Sequence, residues 1–488
     1  MRRLLAPLAL GLAALASAQY PGAQPPPADL KKGFDAIKVT DAQSILGYLA
    51  GPECQGRGTG QPGFQKAAEF VAKQFKAAGL KPLGDDDTYF QNATFYRPSI
   101  WDAVVTVDGA KLDASAFSLN PAGADFDAMA GVVLVRGGTT DRLTDEQLDA
   151  LKGKIVVLVT PAGRNALARQ VARSDAKATL TVVDRLTTAT PRATMRRPLA
   201  SNTRATGQIL RSTLIRFGAP VDAFARESGF AVLSVSREIH VSAKGGVSEV
   251  KVPNVVGEVE GSDPILKAEV VGVGGHLDHL GVNADGVVYP GADDDGSGST
   301  AVMLIAKAVA ANPVKPKRSV IFMTFFGEEL GLLGSKFLTD HPPVPLDKMV
   351  AELQMDMVGR DSDGAQNGDV NRMDKREENI DTIRLVGSKR IATDLDRDIQ
   401  DVNRYVGFRF KYDAEDVYTR SDHYNFAAKG VPIAFLFDGF HPDYHQPTDT
   451  IDKIDWTKLT NAAKLYYLTL MKVANDPAAP KKDVPQGE

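Results

Sequence analysis

With 488 residues, 43% of them hydrophobic, the chain holds more than one core usually spans, so one large domain and one smaller domain are expected. Lys and Arg total 57 against 61 Asp and Glu, a formal charge of −4, which excludes bulk electrostatic capture of nucleic acid and directs the search for partners to a local site. Cys54 is the only cysteine, so no intrachain disulfide forms. Its surroundings, ECQGRGTG, hold no histidine, and Cys54 reads as a structural thiol.

In chain order, Arg2 and Arg3 precede an apolar run from Leu4 to Ala16 that closes in Ala16-Ser17-Ala18. This predicts a cleavable secretory signal over 1–18 and a secreted or periplasmic protein beginning at Gln19. The run is shorter than the roughly 20 residues a bilayer span needs, and no later segment is long and apolar enough, so no membrane association is expected. The Pro-rich residues 19–31 and the tail 476–488 are expected to be flexible and to carry no chemistry. Between Gly63 and Gly79, Phe64, Ala67, Ala68, Phe70, Val71, Phe75 and Ala78 recur at helical spacing and predict a helix stopped by Gly79.

From Trp101 to Ser236, short β-like runs separated by Gly, Thr, Asp and Pro predict a separate β-rich module. We take it as 105–235, inserted into a larger domain built from 19–104 and 236–475. Its Arg192, Arg196, Arg197, Arg204 and Arg211 have no aromatics between them and read as a solvated face rather than a nucleic-acid groove. After Val252, near-continuous apolar strands alternate with amphipathic helices, which predicts an α/β fold whose mostly parallel central sheet is flanked by helices on both faces. The polar stretch from Arg360 to Asp381 reads as a long surface loop without an assigned role.

In such sheets function gathers at the carboxyl ends of the strands. Here EVVGVGG ends in His276-Leu277-Asp278-His279, SVIFMTFFG in Glu328-Glu329, AELQM in Asp356, and VPIAFLF leads to a loop holding His445; Asp293-Asp294-Asp295-Gly296 precedes a helix. Each piece has a plain alternative. A strand-end histidine is usually a hydrogen-bonding residue, the Asp run an Asx turn capping the next helix, and Glu328-Glu329 charge at a helix start. A calcium loop counted from Asp293 fails, because Leu304 stands where a bidentate Glu is required. Four such endings on four successive strands are what the plain alternatives leave unexplained.

Imidazole and carboxylate ligands without thiolate suit zinc, and one carboxylate can bridge two ions about 3.5–4 Å apart; Asp294 is the expected bridge. His276 and Asp278, two apart on an extended segment, share a side, where the Asp278 carboxylate is expected to accept the second ring N–H of His276. Glu328 and Glu329 point in different directions, so one can bind metal while its neighbour faces an activated water.

The stretches VPNVVGEVEG, GGHLDHLG, GADDDGSG, FFGEELGLLGS, QMDMVGR, SDHYNF and YHQPTDT, in this order, resemble the two-zinc aminopeptidase family that includes aminopeptidase Y and bacterial leucyl aminopeptidases. LAGPECQGRGTG resembles the family's N-terminal segment, and GKIVVLV resembles the protease-associated domain many members carry as an insertion. The resemblance implies a zinc exopeptidase that cleaves the N-terminal bond of peptide substrates. One zinc would take His276, Asp294 and Asp356 and the other Asp294, Glu329 and His445. Glu328 would be the general base and His423 a substrate-pocket residue, and Asp278, the carboxylate behind His276, is counted with Glu328 as catalytic. His240, His279, His341 and His441 match no ligand position and are expected to be structural. A carboxypeptidase or a glutaminyl cyclase on the same scaffold, and a silent binding protein, are the competing functions. The oligomeric state is not set by the sequence.

Overall fold

The computed structural model describes residues 19–483 except 138–141, 160–165, 188–192, 197–203, 227–228, 284, 362 and 367. The expected secretory signal, Arg192, Arg197 and the last five residues lie outside the described residues. The chain forms two compact units. The first runs through Ala93, takes up Val252–Val282 and continues from Val288; the second comprises Thr94–Lys251 with Asn283–Val287.

The centre of the first unit is a sheet whose four middle strands, Ile433–Phe437, Met349–Met355, Val270–His276 and Ser319–Phe325, are mutually parallel. Thr382–Val386 flanks them on one side and the end of Ala231–Val259 on the other, both antiparallel. Nearly every residue of the four is buried, as expected for parallel strands covered on both faces. Gly274 is required in this layer, because a Cβ there would meet Gln354 Oε1 at 2.7 Å and Glu352 Oε1 at 2.8 Å.

Helices flank this sheet. Gly296–Ala311 packs against the strand Val270–His276 and the C-terminal helix Trp456–Asn475, and His423–Ala428 packs against Ile433–Phe437. Gly296–Ala311 is apolar nearly all round and correspondingly buried. The predicted helix between Gly63 and Gly79 is present as Pro62–Ala77, and Gly79 takes φ +76° just beyond its end.

In the second unit the order is Ala231–Val259, Phe126–Arg136, Ile155–Val159, Ala178–Val183, Ala205–Leu210, Phe117–Leu119. The pairings from Phe126–Arg136 through Ala205–Leu210 are parallel, with the helices Asp145–Leu151 and Ala166–Arg173 lying in the connections. The strand-rich texture thus includes crossover units that the short apolar runs did not reveal.

Three local expectations are corrected. The lead-in is packed: Tyr20 is buried against Phe408, and its hydroxyl donates to Ile380 O at 2.8 Å. The tail is pinned as far as Asp483, whose carboxylate accepts from Thr393 N and Oγ1. The stretch from Arg360 to Asp381 is not a plain loop, for it contains the hairpin Gly364–Gln366 with Asp369–Asp374 and the short helix Arg376–Asn379. Its polar residues are used internally: buried Gln366 exchanges two hydrogen bonds with the backbone of Phe440. Cys54 is buried and unpaired, and its thiol is pushed up to about 11 by burial, against the pull of Arg57, as befits a structural thiol.

Candidate metal centre and active site

Because the four middle strands run parallel, their carboxyl ends open on one edge, and each delivers a polar residue where its apolar run stops. His276 closes its strand beside Phe325, three residues before Glu328. Asp356 follows Met355, and a loop leaves Phe437 to bring His445 back with φ +57°.

The three consecutive aspartates divide their tasks. Asp295 caps the helix Gly296–Ala311 by accepting from Gly298 N, and it also accepts from His276 N and Met357 N, tying two strand ends to the helix start. Asp293 accepts from Gly359 N. Asp294 projects into the cluster, while Asp449 accepts from the backbone N–H of both Asp293 and Asp294. The helix-cap reading of the Asp run is therefore realised on Asp295, while Asp294 is the one that faces the other candidate ligands.

Asp294 joins two groups of prospective ligands. His276 Nε2 lies 3.3 Å from Asp294 Oδ1 and 3.5 Å from Asp356 Oδ1. On the other side His445 Nε2 lies 3.1 Å from both Asp294 Oδ2 and Glu329 Oε2. His279, expected to be structural, enters this second group as well. Its Nδ1 is 2.8 Å from Glu329 Oε1 and 3.6 Å from Asp294 Oδ2. The sets His276, Asp294, Asp356 and His279, Asp294, Glu329 each place one ligand atom per residue within 4.8 Å of one another. The motif GGHLDHLG held the signal for His279, since Asp278 puts it one residue further along the same loop.

These residues fit cations. His279 Nε2 is buried without a hydrogen-bond partner, and the buried oxygens Asp294 Oδ2 and Glu329 Oε1 face imidazole nitrogens. A buried polar atom without a partner costs about 1–3 kcal/mol unless a ligand takes it up. A carboxylate and imidazole set without thiolate suits zinc.

Asp278 does not take the expected place. The His276 Nδ1 partner is the Asp278 backbone carbonyl at 3.0 Å, whereas the carboxylate is 3.8 Å away. The carboxylate instead accepts from Glu328 N at 3.0 Å and from the Thr59 hydroxyl at 2.8 Å. Burial, with Glu329 adding to it, raises Asp278 to about 6.

The adjacent glutamates are driven apart. Burial lifts Glu328 well above the usual carboxylate range, with Asp356 and Glu329 adding to the effect against His276. At Glu329 burial works in the same direction but is outweighed by His279 and His445, which hold it low. One therefore favours the proton and the other the anion, the division expected of a base beside a ligand.

Glu328, Asp294 and Asp356 line a small cavity of about 30 Å³ that opens to solvent. Its remaining wall is Met357, Val417, Phe435, Phe437, Phe440 and Tyr444, with Arg420. Tyr444 stacks on the His445 ring at 3.8 Å between centroids, and Arg420 lies over Phe440. His423 is absent from that lining: it is fully buried behind it, stacked on Phe435, and burial lowers its ring to about 3. The wall residues escaped the sequence reading because their apolar types match ordinary core, and only the fold aims them at the cluster.

With this geometry in view, residues 254–470 match the model of peptidase family M28. The probable leucine aminopeptidase of Arthroderma otae is 28% identical over 249 residues, which cover 46% of this chain and 64% of that protein. Aminopeptidase YwaD of Bacillus subtilis is 25% identical over 273 residues, 54% of each. The chain thus spans between half and two thirds of the length of these relatives. The solved structure of BSAP, a zinc aminopeptidase from Bacillus subtilis, shares the fold with a TM-score of 0.56 and 19% identity, covering 91% of this chain and 97% of that one. Every candidate ligand lies within the M28 match, whereas Arg57, Thr59 and the Thr94–Lys251 part of the second unit lie outside it.

That separation carries a prediction. Replacing 94–251 by a short linker should leave a protein that binds as many zinc equivalents per chain as the intact one, measured by elemental analysis after dialysis. Loss of zinc from a deletion protein that still shows cooperative unfolding would place part of the centre in the second unit.

Proposed function

We propose that this chain is a secreted zinc-dependent exopeptidase that hydrolyses the N-terminal peptide bond of peptides. The observation that carries the proposal is Asp294, shared by two ligand groups, beside a cavity lined by Glu328. The 28% identical leucine aminopeptidase supports the same reading. One zinc would be held by His276, Asp294 and Asp356. The other would be held by Asp294, Glu329 and His445, whose Nε2 faces both carboxylates at the same distance, with His279 behind Glu329. Bound there, zinc supplies positive charge that polarises the scissile carbonyl and lowers the pKa of a water toward neutrality.

The protein's own groups do the rest. Glu328 takes the proton of the attacking water and returns it to the leaving amine. Met357, Phe435, Phe437 and Phe440 receive an apolar first side chain, and Asp356 offers negative charge to a free α-amino group. Export rests on the Arg2 to Ala18 segment, and N-terminal sequencing of the mature protein is expected to begin at Gln19. GKIVVLV supports a protease-associated role for the second unit in substrate range.

One observation favours a second reading. Arg420 is the only basic residue among the described cavity-lining residues, the group a carboxypeptidase would use to hold a terminal carboxylate. A peptide-library digest read by mass spectrometry separates the two, because the first products show which end is cut. Release of C-terminal residues would sink the aminopeptidase reading, and no cleavage at all by zinc-loaded protein would sink both.

Acid should remove metal and activity together. Burial works against the charged His445 ring, but the hydrogen bonds to Asp294 and Glu329 outweigh it and raise the ring to about 10. Below that pH a proton occupies the nitrogen that zinc requires, so zinc affinity rises with pH and falls into acid. Bound zinc and hydrolysis followed over a pH series should decline in parallel, with excess zinc partly restoring both. A fall in activity at constant zinc would assign the titration to another group.

A further inference from the structure

Outside the M28 match, the segment Arg57-Gly58-Thr59 is bound tightly to the loops that carry the centre. The Arg57 side chain is fully buried and ends on four carbonyls: Nε donates to Leu277 O, Nη1 to Leu49 O and Pro290 O, and Nη2 to Gly291 O. Its own carbonyl accepts from His279 N, and Gly58 bridges His279. The preceding Gly56 takes φ +71°, and a Cβ there would meet Tyr289 O at 2.2 Å, so only glycine lets the segment approach this closely.

So held, Thr59 closes a ring. Gly327 N donates to Thr59 Oγ1 at 2.9 Å, and Thr59 Oγ1 donates to Asp278 Oδ2 at 2.8 Å. Asp278 Oδ1 accepts from Glu328 N at 3.0 Å. The three hydrogen bonds fix two successive N–H groups, Gly327 N on the hydroxyl and Glu328 N, in the Gly327–Glu328 peptide, on the buried carboxylate, and Gly327, with φ +64°, turns the chain at that point. The Glu328 side chain leaves this peptide toward the cavity, so the direction of its carboxylate is inherited from the ring.

We propose that Thr59 is a positioning residue for Glu328, acting through Asp278 and the Gly327–Glu328 peptide; this rests on the exopeptidase reading, in which Glu328 is the base. The ring orders a glutamate that must reach one proton, and a displacement of about 1 Å in such a group can cost up to 10²-fold in rate. Because Thr59 touches no prospective ligand atom, its effect falls on turnover and not on metal.

Thr59→Val keeps the shape, removes the hydroxyl, and leaves Gly327 N–H and Asp278 Oδ2 without that partner. In the zinc-loaded full chain, kcat is expected to fall about 10- to 100-fold with KM and bound zinc unchanged, and Thr59→Ser is expected to stay within about twofold of the parent. In a Glu328→Gln background Thr59→Val should add little further loss, because a residue acting through Glu328 has nothing left to position. An equal added loss in that background, or parental kcat in Thr59→Val, overturns the proposal. Amide hydrogen exchange gives a readout independent of turnover: Gly327 and Glu328 should exchange faster in Thr59→Val at constant zinc content, and unchanged exchange also overturns it. Were the parent chain to cleave no peptide, the exopeptidase reading would fall, while the exchange result would still decide whether the ring holds this peptide.

Discussion

Glu328→Gln is expected to retain its zinc and lose hydrolysis by about 10² to 10⁴-fold, the usual worth of a general base. The substitution keeps size and polarity, and the backbone N–H that binds Asp278 is untouched, so the ring around Gly327 persists. Substrate affinity should change little. Glu329→Gln is expected to do the opposite. It exchanges an anionic oxygen facing His445 and Asp294 for a weak neutral one, so a site empties on dialysis and added zinc partly restores turnover. Zinc content and kcat measured on both variants check this. If Glu328→Gln lost metal and Glu329→Gln kept it, the two roles would be exchanged.

The second large effect belongs to Asp294. Its two oxygens face different partners, Oδ1 toward His276 and Oδ2 toward His445, and among the described residues Asp294 alone belongs to both groups. Asp294→Asn should therefore release both zinc equivalents together and abolish hydrolysis, with a loss of affinity greater than the roughly 10- to 100-fold that follows removal of an outer partner. His445→Asn should release one equivalent, and His279→Asn should keep both while weakening the second. Titration of zinc into dialysed protein, read by elemental analysis, distinguishes these outcomes. Retention of one tight equivalent in Asp294→Asn would show that the groups do not share this carboxylate.

Much of the centre was legible in the chain because strand ends in a parallel sheet are marked by an abrupt change from apolar to polar residues. His276, Glu328, Asp356 and the Asp run stand at such changes, and the pattern of buried parallel strands alternating with helices followed from the same periodicity. The legible part is what depends on near neighbours in sequence: where strands stop, which helix is capped, and which residues are placed together by one edge of one sheet.

What only the tertiary structure decided depends on partners far apart in the chain. GGHLDHLG does not say whether Asp278 serves the ring of His276 or the backbone of Glu328; the fold decides for the latter by bringing Thr59 and Gly327 to the same carboxylate. His279 turned from a structural residue into a neighbour of Glu329, and His423 from a pocket residue into one buried behind Phe435. The stretch from Arg360 to Asp381 contains a hairpin whose Gln366 bonds the backbone of Phe440, 74 positions away. A side chain's type and spacing state what chemistry it can do, but its direction is set by whichever distant backbone it meets, and that meeting exists only once the sheet has closed.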